Sequence, residues 1–149
     1  SGWAMARARR ESSFMADATS PVGARGLMQL MPATARQIAK KPVQLAQLNN
    51  PLLNIDYGVD YLNYLMQRND GNLLMATAAY NAGYSRVKQW IPDDYALPAD
   101  VWIETIPYRE TRDYVKAVMA YYQIYNIRLN STTDVFKPLT SMQIGVVVE

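Results

Sequence analysis

Residues 26–32 of the chain have the sequence Gly-Leu-Met-Gln-Leu-Met-Pro, at the end of a glycine-containing segment. Gly23 and Gly26 permit positive φ or a close approach of the backbone, which predicts a loop over residues 15–31. Gln29 offers both a hydrogen-bond donor and an acceptor, so such a loop could line a binding subsite. The alternative is a simple turn that the glycines permit, with the apolar residues of the stretch packed in the core.

Apolar residues recur at helical spacing on both sides of this stretch, which predicts an all-α fold in a single domain. Upstream, a helix is expected over residues 2–14. Downstream, Pro32 suits the first turn of a helix because the amide proton that it lacks has no partner there. Helices are expected over about 32–40, 55–68, 72–81, 85–90 and 109–129, with a further segment over 99–105. Residues 131–149 lose the helical pattern, so we predict a domain over 1–130 and a C-terminal extension of uncertain structure over 131–149.

The composition excludes several classes of function. Half of the 149 residues are apolar and only 19% are charged, which excludes global disorder. Histidine and cysteine are absent, and this removes disulfides, thiol nucleophiles, zinc sites built on Cys or His, and Ser-His-Asp triads. The net charge of +2 is too small to argue for nucleic acid, and no apolar run is long enough to cross a bilayer. Any proton chemistry has to come from Asp, Glu, Lys or Tyr.

The first residues, Ser-Gly-Trp, include no initiator Met, and no signal peptide is visible. We therefore expect a piece of a longer protein, and a missing leader says nothing about export.

Glu11 is a candidate for proton chemistry because it shares a helix face with Ala4 and Ala8. In apolar surroundings the charged form of a carboxyl is disfavoured, which raises its pKa and keeps a proton available near neutrality. The alternative is an ion pair with Arg7, one helical turn earlier, which would stabilise the ionised form instead. Position alone does not distinguish between the two interpretations.

Two further segments place polar side chains beside breaks in the helical pattern. Residues 78–83 have the sequence Ala-Ala-Tyr-Asn-Ala-Gly, so Tyr80 and Asn81 are the only hydrogen-bonding side chains at the end of a small-residue helix. A simple helix C-terminus explains Asn81 but does not explain Tyr80. Glu104 precedes the break marked by Pro107, a place where a side chain can project into a cleft.

Four segments, in this order, resemble the motifs of the family 1 (Slt-type) soluble lytic transglycosylases, which form glycoside hydrolase family 23. They are Glu-Ser at 11–12, Gly-Leu-Met-Gln at 26–29 followed by Met-Pro at 31–32, Ala-Tyr-Asn-Ala-Gly at 79–83, and Ile-Pro-Tyr-Arg-Glu-Thr-Arg-Asp-Tyr-Val at 106–115. Each motif is weak alone, but four in the family's order are specific, and the resemblance covers about residues 2–130. The chain departs at Tyr84-Ser85, where many relatives have Pro-Gly, and this affects the expected shape of the local loop.

The resemblance implies a lysozyme-like fold of the goose-lysozyme and Slt type, with Glu11 as the catalytic acid and base. Glu11 would protonate the oxygen of the β-1,4 bond between N-acetylmuramic acid and N-acetylglucosamine. It would then take a proton from the muramyl C6 hydroxyl, which attacks C1 and gives a 1,6-anhydromuramyl product without water. The muramyl 2-acetamido group would replace the second carboxylate of common glycosidases. The residues that correspond to the family's cleft are Ser20, Gln29, Met31, Tyr80 and Glu104, with Asn81 as a neighbour of Tyr80 and a looser match at Tyr108.

The sequence itself places no second carboxylate opposite Glu11, although several are available: Asp17, Asp56, Asp60 and Glu104. The resemblance implies no metal and no cofactor, with peptidoglycan strands and muropeptides as ligands and other cell-wall enzymes as further partners. It also implies a periplasmic location in the bacterial envelope, with an outer-membrane association through an N-terminal anchor of the parent protein. Two alternatives stay open, namely a hydrolytic muramidase that shares the fold and the glutamate, and a non-catalytic peptidoglycan-binding domain.

Overall fold

A computed structural model describes residues 2–12, 18–128 and 143–145, without the side chains of 7, 8, 10–12, 123 and 125–128. The described residues form α1 (Gly2–Ser12), α2 (Pro32–Ala39), α3 (Pro51–Arg68), α4 (Leu73–Ala82), α5 (Tyr84–Gln89), α6 (Ala99–Thr105) and α7 (Arg109–Arg128), with a 3-10 helix at Leu45–Asn49. Two short strands, β1 (Ala96–Pro98) and β2 (Gln143–Gly145), pair antiparallel with Leu97 opposite Ile144. No described helix combines the length and apolar character needed to span a membrane.

The predicted helical fold is confirmed, and most of the predicted ends lie within a few residues of the observed ones. Pro32 occupies the first turn of α2. Gly83, with φ of 95°, ends α4 and donates its N–H to the Ala79 carbonyl at 2.8 Å. The last residues of two predicted helices, 13–14 and 129, lie outside the described residues.

Two elements were not predicted from the sequence: the 3-10 helix in the connector and the strand pair. Three-residue strands are too short to show a periodicity of their own. β2 falls within the segment predicted as an extension, and its Ile144 is 1% exposed and belongs to the hydrophobic core. The rest of 131–149 lies outside the described residues, and the division at residue 130 stays a prediction.

The small-residue helix α4 lies at the centre of the core and contacts α3, α5 and α7. Ala76, Ala78 and Ala79 are fully buried, so the neighbouring helices approach the α4 backbone closely. α1 is attached to α4 through Trp3, whose Nε1 donates to the Thr77 hydroxyl at 3.0 Å. Together with the extensive packing of α1 against α7, this contact positions the helix that carries Glu11.

The glycine-containing loop is held by the side-chain amide of Asn54 on α3, which is completely buried. Its Oδ1 accepts from the Met28 amide at 2.7 Å, and its Nδ2 donates to the carbonyls of Arg25 and Leu48, each at 2.9 Å. A Cβ at Gly26 would lie 2.3 Å from that Nδ2, and the φ of Gly26 is +76°. Glycine is therefore required at position 26 both for space and for backbone conformation.

Replacing Asn54 is expected to loosen the loop and to destabilise the fold. Asn54→Ala removes the partner of the Met28 amide and that of the Leu48 carbonyl, and each buried group left unpaired costs about 1–3 kcal/mol. The Arg25 carbonyl loses one of its two bonds and keeps the one from the Leu30 amide. We expect the free energy of unfolding to fall by about 3 kcal/mol or more, measured by denaturant titration. Asn63→Ala is the matched control, because Asn63 is exposed on the same helix and its loss should change stability by about 0.5 kcal/mol at most. Equal midpoints for the two variants would contradict the structural role of Asn54.

Candidate active-site cleft

A cavity of about 220 Å³ lies between the start of α2 and the C-terminal end of α4. Four of the residues predicted for the cleft line it: Gln29, Met31, Tyr80 and Asn81. The remaining lining residues are Leu30, Thr34, Tyr61, Ala79, Ala82 and Gly83. Three other cavities, of about 230, 420 and 660 Å³, contain none of the predicted residues. The structure therefore brings together two of the sequence motifs, which are about 50 residues apart in the chain.

Gln29 is held in a left-handed conformation, with φ of 47°, that few non-glycine residues adopt. Its own side chain stabilises this conformation, because Nε2 donates to the carbonyls of Gly26 at 2.7 Å and Ala18 at 3.1 Å. Both donors of the amide are thus directed into the loop. Gln29 can therefore offer a ligand the acceptor Oε1, rather than both the donor and the acceptor that the sequence suggested.

Tyr80 joins three parts of the cleft. Its hydroxyl donates to the Met28 carbonyl at 3.2 Å, and the residue is 8% exposed. Its ring packs against Trp3 at 5.7 Å and against Tyr61 at 5.1 Å between centroids. Met31, which is 40% exposed at the start of α2, adds an apolar surface to the same cavity.

Asn81 is oriented by a residue that the sequence analysis did not select. The hydroxyl of Thr111, 1% exposed on α7, donates to Asn81 Oδ1 at 2.7 Å. Since the oxygen accepts this bond, Nδ2 is the donor that Asn81 can direct to a ligand. The sequence contained one signal for Thr111, because this residue lies within the motif at 106–115. Its two neighbours in the chain are charged, one exposed and the other half-buried.

The other predicted cleft residues do not line this cavity. Ser20 belongs to the loop, where its Oγ accepts from the Ala24 amide at 2.9 Å. Tyr108 is 43% exposed and packs edge-on against Trp90 at 5.1 Å between centroids. Glu104 is exposed and forms an ion pair with Lys116 on α7. A role in binding stays a prediction for all three.

Glu104 is held in its ionised form. The hydrogen bond from the Lys116 ammonium lowers the pKa of its carboxyl below the ordinary value of 4.5, and the charges of Lys116 and Arg112 act in the same direction. A carboxyl that is ionised at neutral pH has no proton to donate. Glu104 is therefore unsuited to be the general acid of a reaction near neutrality.

Glu11 occupies the next-to-last position of α1, and its side chain lies outside the part of the chain that the structure describes. The same holds for Arg7, so the ion pair between them and the raised pKa of Glu11 both stay predictions. The backbone of Glu11 is eight residues beyond Trp3, or about 12 Å along the helix axis. Because Trp3 contacts Tyr80 and Thr77, α1 is fixed relative to the cleft at its beginning.

The ionisation of Glu104 is open to a direct test. Lys116→Met removes the hydrogen bond and the nearest cation, so we expect the pKa of Glu104 to rise toward 4.5, measured by carboxyl ¹³C NMR titration. The pKa of Glu104 is lower in the folded protein than in the unfolded chain. The ion pair of Glu104 and Lys116 therefore stabilises the folded protein at pH values above the unfolded-state pKa of Glu104. This stabilisation is lost as the pH falls through the folded-state pKa of Glu104. Arg109→Met is the control, since its exposed pair with Asp113 is elsewhere on α7. An unshifted Glu104 in Lys116→Met would show that Lys116 does not set its pKa.

The comparison with known families agrees with the motifs. Residues 2–103, more than half of the chain, match the family described as the transglycosylase SLT domain. Residues 105–133 match a second family, described as the soluble lytic transglycosylase helical domain.

Individual relatives are similar over most of this chain. The soluble lytic murein transglycosylase of Escherichia coli K12 is 43% identical over 129 residues, which is 83% of this chain and 20% of that protein. An inactive mutant of the lytic transglycosylase Slt from Pseudomonas aeruginosa superposes with a TM-score of 0.85 at 46% identity, covering 90% of this chain and 22% of that one. The 70 kDa soluble lytic transglycosylase of E. coli superposes with a TM-score of 0.82 at 38% identity, and the match covers 94% of this chain and 23% of that one. This chain thus spans about a fifth of the length of these relatives, and it belongs to the transglycosylase SLT domain family.

Proposed function

We propose that this chain is a catalytic domain that cleaves the β-1,4 bond between N-acetylmuramic acid and N-acetylglucosamine in peptidoglycan and forms 1,6-anhydromuramyl products. The observation that carries the proposal is the cavity in which Gln29, Met31, Tyr80 and Asn81 meet. Membership of the SLT family supports the same reaction. We assign the catalytic domain to residues 1–130 and treat 131–149 as an extension to it.

Glu11 is the acid and base of this reaction. It protonates the glycosidic oxygen as the bond to C1 breaks, and it then accepts the proton of the C6 hydroxyl that closes the anhydro ring. The properties of the other carboxyls support a single catalytic carboxyl. Glu104 is ionised by its partner Lys116, and Asp56 and Asp60 are exposed on α3. Asp17 lies outside the described residues.

The cavity residues bind the sugar rings through complementary groups. Gln29 accepts a hydrogen bond through Oε1 from a hydroxyl or an acetamide N–H, while Asn81 donates through Nδ2. Tyr61 and Met31 supply apolar surfaces for the ring faces of the sugar. Ser20, Glu104 and Tyr108 are assigned to more distant parts of the cleft, because they do not line the cavity itself.

The location and partners follow from the substrate. Relatives of this chain include proteins named soluble and membrane-bound lytic murein transglycosylases. We assign the parent protein to the bacterial envelope on the periplasmic side, with an outer-membrane anchor as its means of attachment. Peptidoglycan strands and muropeptides are its ligands, and other cell-wall enzymes are its further partners.

The products distinguish this reaction from hydrolysis. Digestion of purified peptidoglycan by the chain, followed by mass spectrometry, is expected to give fragments with 1,6-anhydromuramyl ends, which are one water lighter than reducing ends. Reducing muramyl ends would instead identify a muramidase. Absence of both, together with retained binding to peptidoglycan, would identify a non-catalytic binding domain.

The role of Glu11 is tested by the substitution Glu11→Gln, which removes the transferable proton and keeps the size and shape of the side chain. We expect the rate of anhydro-product release to fall by roughly 10²–10⁴-fold or more, with binding to insoluble peptidoglycan largely retained. Glu110→Gln, at an exposed position in the first turn of α7, serves as the matched control and should keep the wild-type rate. Wild-type turnover in Glu11→Gln would remove Glu11 from the mechanism.

A further inference from the structure

The walls of the candidate cavity belong to different helices. Tyr61 of α3 forms part of one wall, and Ala82 and Gly83, where α4 ends and α5 begins, form part of another. The helices α3 and α5 both pack against α4 and have little direct backbone contact with each other. The spacing of these two walls therefore depends on side chains that connect α3 with α5.

Arg68, an exposed residue of the last turn of α3, makes such a connection. Its guanidinium carbon lies 4.1 Å from the centroid of the Tyr84 ring on α5. On α3 itself, Arg68 Nη1 donates to the Tyr64 hydroxyl at 2.7 Å. A guanidinium is planar, so it can lie against an aromatic ring while its N–H groups make hydrogen bonds. Arg68 is thus held by one tyrosine on each of the two helices.

Each of these tyrosines contacts or adjoins a residue that lines the cavity. Tyr64 stacks on Tyr61, with ring centroids 6.2 Å apart and planes 17° from parallel. Tyr84 is the first residue of α5 and follows Gly83 directly in the chain. Arg68 itself does not line the cavity, so its effect on a ligand there has to pass through these two neighbours.

The beginning of α5 has few supports of its own. The helix has six residues, and a helix this short is not stable without tertiary contacts. Its N-cap is Gly83, which has no side chain to accept a hydrogen bond from the first N–H groups of the helix. The contact of the Tyr84 ring with Arg68 therefore adds an attachment at the residue where α5 begins.

We infer that Arg68 is a positioning residue, which attaches α5 to α3 and thereby holds the cavity in the form that binds sugar. Without this attachment the two walls separate more often, so a smaller fraction of the molecules is ready to bind. The apparent affinity falls in proportion to that fraction. The chemical step depends on Glu11 of α1 and is left unchanged. This inference rests on the proposed function for the identity of the ligand.

Amide hydrogen exchange tests the attachment without any ligand. The Gly83 amide donates to the Ala79 carbonyl at 2.8 Å, and the Val87 amide donates to the Gly83 carbonyl at 3.2 Å. In Arg68→Gln we expect both amides to exchange up to about fivefold faster, because one exposed contact between a guanidinium and a ring is lost. The Asn54 amide, in the first turn of α3, is the internal reference and should exchange at its wild-type rate.

The effect on binding is measured with the additional substitution Glu11→Gln, so that the substrate is not consumed. Co-sedimentation with insoluble peptidoglycan should show an affinity about twofold to fivefold weaker when Arg68→Gln is also present. In the chain that keeps Glu11, kcat on saturating soluble glycan strands should be unchanged by Arg68→Gln. Lys88→Gln is the matched control, because it removes an exposed positive charge beside Arg68 and leaves both tyrosine contacts of Arg68 in place. It should bind as the unsubstituted chain does.

Two further variants separate the contact with Tyr84 from the charge of Arg68. Tyr84→Leu removes the ring on α5, so the double variant Arg68→Gln/Tyr84→Leu should bind no more weakly than Tyr84→Leu alone. Arg68→Lys keeps the positive charge and loses the planar group. We therefore expect its affinity to lie between those of the wild type and Arg68→Gln.

Unchanged amide exchange or unchanged affinity in Arg68→Gln would overturn the inference. An equal loss of affinity in Lys88→Gln, or additive losses in the double variant, would overturn it as well. Neither exchange nor binding depends on the products. The expected changes in both, without anhydro products from the wild type, would overturn the proposed reaction alone. Anhydro products together with an unaffected Arg68→Gln would overturn only the role of Arg68, and no binding to peptidoglycan at all would overturn both.

Discussion

The buried amide of Asn54 is the interaction on which the geometry of the cleft depends. A loop that packs on a helix has backbone donors and acceptors that water no longer reaches, and both kinds must find partners. A single amide satisfies both, since its oxygen accepts from Met28 while its nitrogen donates to the carbonyls of Arg25 and Leu48. An aspartate would lose the two donated bonds, and an apolar side chain would lose all three. The missing side chain of Gly26 leaves the space that this arrangement requires.

A short series of contacts connects the loop that Asn54 holds with the helix that carries the proposed acid, Glu11. With the loop fixed, the Met28 carbonyl accepts from the Tyr80 hydroxyl, and the Tyr80 ring packs against Trp3 at the start of α1. Trp3 is also bonded to Thr77 on α4, a helix whose small side chains let its neighbours approach closely. Glu11 is thus carried by a helix whose beginning is attached to the same core that holds the loop. The proposed acid and the side chains that line the cavity belong to separate segments of the chain, and packing brings these segments together.

The surroundings of the charged groups near the cleft determine their ionisation and their orientation. Glu104 is exposed beside Lys116, which keeps it ionised and removes it as a proton donor. Arg68 is also exposed, but the rings of Tyr64 and Tyr84 lie against its guanidinium and fix the orientation of that group. Tyr61 links the regions, because it lines the cavity and stacks on the tyrosine that holds Arg68. Tyr61 therefore connects the lining of the cavity with the surface around Arg68.

The sequence by itself determined the helices, the start of α2 marked by Pro32, and the family motifs. These features depend on contacts within about one turn of helix or on residue order, which a single chain displays directly. The tertiary structure decided the role of Asn54, although an amide on the face that buries Gly58 and Leu62 was a signal for it. It also decided that Gln29 turns its donors inward, that Thr111 orients Asn81, and that Ser20, Glu104 and Tyr108 do not line the cavity. Such contacts join residues that are far apart in the chain: Met28 and Asn54 are separated by 26 positions, and Trp3 and Thr77 by 74. A local sequence pattern does not indicate which partner a polar group finds at such a separation.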